Sequence, residues 1–74
     1  MTAFSMPKNS SASILKIELP PKIANRLNSL GFKTGSIVTM LGYSLLKGGV
    51  LLQCGGVRVG VRKAVAENIE VQPC

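Results

Sequence analysis

Arg58 and Arg62 stand four residues apart in the run Val57–Arg62 (VRVGVR), and the two-residue period of a strand sends both guanidinium groups to one face. A guanidinium pairs bidentately with carboxylates and phosphates, so these two, with Lys63 beside them, form one candidate binding patch. Their alternative role is to guard a strand against edge pairing. Lys22 and Arg26 form a second patch at helical spacing, extended by Lys33. It can dock on acidic groups of a larger partner, although a charged outer face is also what any amphipathic helix shows. The third candidate is the loop Tyr43-Ser44-Leu45-Leu46. A tyrosine and two leucines between glycines are costly to expose without a use, and tyrosine is enriched where proteins bind proteins. Against that stands the expectation that Leu45 or Leu46 folds back as a lid.

The remaining reactive groups are few. The sequence has no histidine, the commonest general base and metal ligand, and three acids, Glu18, Glu67 and Glu70. Paired carboxylates or a nucleophile with its base and orienting group need more than this, so neither catalysis nor a cofactor is expected. Glu67, Glu70 and Cys74 are the weak candidates for a metal site. Ferrous iron favours imidazole or several carboxylates, so iron binding by this chain alone is expected to be slight. Cys54 and Cys74 have neither CxxC nor zinc-site spacing. Cys54, in an apolar run, reads as a small core residue, and Cys74 as a free thiol.

Nine lysines and arginines against three acids give a net charge of +6 in 74 residues. Such a field hastens encounters with acidic proteins, nucleic acids or anionic surfaces without choosing among them. No stretch reads as a signal peptide, and lysine, glutamine, arginine and glycines interrupt the apolar region 37–61, so a soluble cytoplasmic chain is expected.

One small domain must position these groups. Residues 1–11 show no apolar period and read as a flexible tail, leaving 12–74 as the folded part. Residues 12–19 alternate, with Leu15, Ile17 and Leu19 inward, as a strand requires. Pro20-Pro21 opens a helix over 22–30 with Ile23, Leu27 and Leu30 on its inner face, and Gly31 ends it. Strands follow at 36–41, 50–54 and 57–62, the last two joined by a Gly55-Gly56 hairpin. A helical or 3₁₀ turn over 64–68 precedes a last strand at 69–71. Leu27, Leu30, Val38 and Val59 are assigned to the core. Five short strands in so small a domain favour closure, which removes exposed edges. The expected fold is mainly β: a five-stranded SH3-like barrel with one inserted helix.

The ordered set Leu27-x-x-Leu30-Gly31, Gly35, Val38, the loop 43–49, Gly56, Arg62, Ala66 and Ile69-Glu70-Val71 resembles the FeoA family over residues 13–72. Two departures stand out. The polar tail replaces a Leu-x-x-Leu-x-x-Gly segment, and Leu46 is followed by Lys47-Gly48-Gly49 without the usual acid or proline. The resemblance implies an SH3-like barrel that serves bacterial ferrous iron uptake. Its implied partner is FeoB, a membrane transporter with a cytosolic GTP-binding domain, and its implied role is to tune transport or the nucleotide cycle. Two other readings are a small basic nucleic-acid-binding barrel and a self-associating module. The first lacks aromatics on its outer strand face, where bases would stack; the second would bury the loop leucines against another copy.

Overall fold

Alternation of β-branched residues builds a sheet here, and proline and glycine decide where it stops. The computed structural model describes residues 1–44, 46 and 48–74; Leu45 and Lys47 lie outside the described residues. The strands are β1 (Ser11–Ile17), β2 (Ile37–Tyr43), β3 (Gly49–Cys54), β4 (Val57–Arg62) and β5 (Ile69–Pro73). Helix α1 (Pro21–Ser29) follows β1, and one helical turn, α2 (Lys63–Ala66), links β4 to β5. All neighbours are antiparallel, in the order β4-β3-β2-β1-β5.

The sheet's two end strands are therefore consecutive in the chain. Laid flat at ~4.8 Å per strand, β4 and β5 would lie about 19 Å apart. Their link spends four residues in α2, rising only ~1.5 Å each. The sheet has to roll to bring its ends to this short connection, and dimensions of 28 × 24 × 23 Å agree. Inside lie Ile14, Phe32, Val38, Met40, Leu52, Ile69 and Val71, all almost wholly buried.

The first strand departs from simple alternation. Ala12 and Ile14 face the core, whereas Leu15, expected inward, is 46% exposed. The register against β5 shifts between Ile14 and Lys16. This bulge inserts Leu15 as an extra residue and resets the phase, so Ile17 and Leu19 pack on the core as expected. A second bulge, between Met40 and Gly42, carries β2 on to Tyr43, two residues beyond its expected end.

Helix α1 starts with Pro20 as N-cap and Pro21 in the first turn. It ends in a Schellman motif: Phe32 N–H donates to the Leu27 carbonyl at 2.9 Å, and Gly31 N–H to that of Asn28 at 3.0 Å. Gly31 sits at φ +98°, where a side chain would be strained. Phe32 and Leu27 both belong to the core behind it. Only Leu27 of the helix is buried; Ile23 and Leu30, expected on the inner face, are 37% and 36% exposed. The hairpin at Gly55-Gly56 pairs Cys54 with Val57 as expected.

Residues 1–11, expected as a tail, are packed against the barrel. Ala3 and Met6 are fully buried, Thr2 bridges to Glu70, and Val71 N–H donates to the Met1 carbonyl at 2.7 Å. A 3₁₀ turn at Ala3–Ser5 aims these side chains inward at irregular intervals. Such a segment has neither helical nor strand period, which is why its apolar residues do not announce themselves.

Candidate functional site

Helix α1 lies beside β4, and the two leave a groove between them. Ile23, Leu27 and Leu30 contribute from α1, Val59 and Val61 from β4, and Val65 from α2. Gly60 adds bare backbone, and Arg26 and Arg62 complete the lining of this ≈510 Å³ space. The position of α1 is fixed at its C-terminal end, where the Gly31 carbonyl accepts from Ser36 Oγ at 2.9 Å and Cys54 Sγ at 3.3 Å.

Helical spacing places Arg26 next to the apolar stripe, and strand alternation turns Arg62 away from the core, so one arginine from each of two patches that are separate in the sequence lines the same groove. Among the described residues the ion pairs are the Met1 ammonium with Glu70 (3.5 Å) and Lys16 with Glu18 (3.8 Å). Neither involves Arg26 or Arg62. The groove thus offers partly exposed aliphatic groups and two guanidinium groups without a carboxylate, an arrangement suited to a ligand both apolar and acidic.

The other candidate residues are placed elsewhere. Lys22 and Lys33 are exposed and do not line the groove. Arg58 donates from Nε to Gln53 Oε1 at 3.2 Å. Lys63 Nζ lies 5.4 Å from the centre of the Phe4 ring. Tyr43 ends β2, and its hydroxyl is shared between the carbonyls of Phe4 (2.8 Å) and Met6 (3.0 Å). Its ring meets Phe4 edge-on at 5.6 Å. Of the two leucines expected as a lid, Leu46 does not fold back over the barrel, being 96% exposed at φ +63°, and Leu45 lies outside the described residues.

Both cysteines are free, Cys54 partly buried and Cys74 exposed. Four extended residues at ~3.3 Å each separate Glu70 from Cys74 by about 13 Å along β5. Among the described residues, no three histidine, cysteine or acidic side chains gather where they could hold a metal ion. A second hollow of ≈380 Å³ lies near the chain ends, between Met1, Pro7, Ser10 and Pro73. No described helix is long and apolar enough to cross a membrane.

Ile23 and Leu30, read in the sequence as inner-face residues, line the groove, as do Leu27 and Val59 of the expected core and Val65, which the sequence places only in a helical turn. The signal for the first two is a helix face wider than one edge strand can cover.

Comparison with known proteins gives a consistent result. A model of the FeoA domain matches residues 1–73. The FeoA protein of Stenotrophomonas maltophilia, solved with zinc, is 32% identical, with 97% of this chain and 89% of that one covered at a TM-score of 0.81. It is described as a procaryotic SH3 domain protein, with a suggested role as a bacterial ferrous iron transport activating factor. The FeoA protein of Chlorobium tepidum aligns at a TM-score of 0.94 and 23% identity, over 99% of this chain and 70% of that one. A manganese-dependent transcriptional repressor shares the fold in 36% of its length, at 16% identity and a TM-score of 0.87. No curated protein sequence matches the chain.

Proposed function

This chain belongs to the FeoA domain family, and we propose that it is a cytosolic accessory protein of bacterial ferrous iron uptake that binds the FeoB transporter. On this reading it tunes FeoB's transport or nucleotide cycle through contact and performs no chemistry of its own. The observation that carries the reading is the groove between α1 and β4, apolar along its walls and lined by Arg26 and Arg62, neither of which has an ion-pair partner among the described residues. A protein surface with aliphatic and acidic groups satisfies both features at once. The role suggested for the Stenotrophomonas relative points to the same process.

A protein partner suits the site better than a nucleic acid. Single-stranded binders stack bases on exposed aromatic rings. No aromatic ring among the described residues lines the groove: Phe32 is buried, and Phe4, with Lys63 over its ring, meets the half-exposed Tyr43 edge-on elsewhere.

The test is binding of the purified chain to the cytosolic region of the FeoB from the same organism, at low and at physiological salt. Saturable binding that Arg26→Glu or Arg62→Glu weakens is the expected result. Absence of binding at both salt concentrations refutes the reading.

A further inference from the structure

The groove's β4 wall is the edge of a sheet, and among the described residues that edge is open. β4 pairs with β3 on one side only, in the register Cys54↔Val57, Leu52↔Val59 and Val50↔Val61. Across a two-residue turn the flanking pair is hydrogen-bonded, and every second pair after it repeats the pattern. The bond from Lys63 N–H to the Gly48 carbonyl, 3.0 Å, continues the same series. Val57, Val59 and Val61 therefore spend their backbone groups on β3. The intervening residues turn theirs outward: N–H and C=O of Arg58 and Gly60, and N–H of Arg62. None of these takes part in a turn, loop or cap bond among the described residues.

A free edge next to a helix is the geometry in which a sheet accepts an added strand. Folded proteins usually obstruct such an edge with charged side chains, and Arg58 and Arg62 are placed to do so at either end. Between them Gly60 has no side chain, and a Cβ built there would have nothing within 4 Å. The groove follows β4 from Val59 to Arg62, about 10 Å in three steps of ~3.3 Å, the span of a four-residue strand.

We infer that the groove takes its ligand by strand addition: an extended segment with carboxylates flanking apolar residues pairs its backbone with the outer edge of β4. Alternate side chains of that segment pack against Ile23, Leu30 and Val65, and its carboxylates meet Arg26 and Arg62. Charge complementarity selects this occupant, because neither guanidinium group pairs with an acid among the described residues and the net charge is +6. The inference rests on the docking role proposed above and specifies its geometry.

Gly60→Pro tests it, because proline deletes the outward N–H and puts its ring in the groove. It leaves the bonds to β3 intact and is tolerated at an edge. Titrated with the cytosolic region of FeoB, the variant is expected to bind about tenfold more weakly than the unaltered chain, the effect of one lost and unreplaced hydrogen bond. In the unaltered complex, the Gly60 and Arg62 amides should exchange with solvent at least about tenfold more slowly than in the free chain, as newly bonded edge groups do. Equal affinity of the two chains, or unchanged exchange at Gly60 in the complex, overturns strand addition while leaving the partner in place. If Gly60→Pro does not fold, the exchange measurement decides alone. Failure of the unaltered chain to bind overturns the docking role, and this inference with it.

Discussion

Tyr43, at the end of β2, holds the Phe4 carbonyl 2.8 Å from its hydroxyl, across 39 residues of sequence. The same hydroxyl reaches the Met6 carbonyl at 3.0 Å, and the two rings pack edge-on. A residue that reads as a binding-loop tyrosine thus fastens the N-terminal segment to the barrel.

Tyr43→Phe should therefore act on stability. It keeps the ring contact and removes the shared hydrogen bond, a loss of about 1 kcal/mol. In a domain this small that lowers Tm by roughly 4–8 °C, measurable by thermal denaturation. Amide exchange should quicken first in residues 3–6, since this bond ties them down. A change confined to partner affinity, with Tm unaltered, would show that the tyrosine serves binding instead.

Gly49 predicts a larger effect. It opens β3 opposite Arg62, and a Cβ there would lie 2.6 Å from the Val61 carbonyl oxygen and 3.4 Å from the Arg62 Cα. Those are backbone atoms of a paired strand, with no rotamer that moves them aside. Gly49→Ala is expected to cost about 1–3 kcal/mol, read from urea unfolding. The same substitution at Gly60 meets nothing within 4 Å and should cost well under ~1 kcal/mol.

Leu27 and Leu30 lie three residues apart on α1 and should separate folding from binding. Leu27 is 6% exposed and packs in the core, so Leu27→Ala should destabilise by about 2–5 kcal/mol. Leu30, 36% exposed, faces the groove, and its truncation should cost less than about 1 kcal/mol of stability. Leu30→Ala should nevertheless weaken binding of the cytosolic region of FeoB severalfold. Equal destabilisation by the two variants would place Leu30 in the core after all.

The pair also shows what could be read in the sequence. Val57–Arg62 alternates over a simple two-stranded ladder, so its faces and its hairpin follow from spacing alone. Proline and glycine mark both ends of α1 because their effects are local. Leu15 defeats the same logic: a bulge adds one residue to β1, and only the register with β5 reveals it. Ala3 and Met6 have no period to betray their burial. The groove is harder still to foresee. Arg26 and Arg62 are 36 positions apart, and what joins them is the roll of the sheet, which sets β4 beside α1.

Charge provides the last test, because it distinguishes a site from a diffuse field. A net charge of +6 attracts any acidic protein at low salt, so weaker binding at high salt does not by itself locate anything. Arg58 supplies the control: exposed on β4 like Arg62, it points its Nε to Gln53 and its side chain does not line the groove. Arg26→Glu, Arg62→Glu and Arg58→Glu each change net charge by the same two units. If the field alone attracts FeoB, all three should weaken binding alike, mainly in the association rate, and the differences should fade as salt shortens the screening length to ~8 Å. If the groove holds an acidic segment, Arg26→Glu and Arg62→Glu should each cost at least about tenfold at physiological salt, largely as faster dissociation. Arg58→Glu should then stay within about threefold. The double reversal at 26 and 62 should cost less than the product of the single effects, because both arginines engage one segment and the first loss already loosens it. Surface plasmon resonance at two salt concentrations reads both rates, and equal dissociation rates for the three single variants would remove the groove from the mechanism.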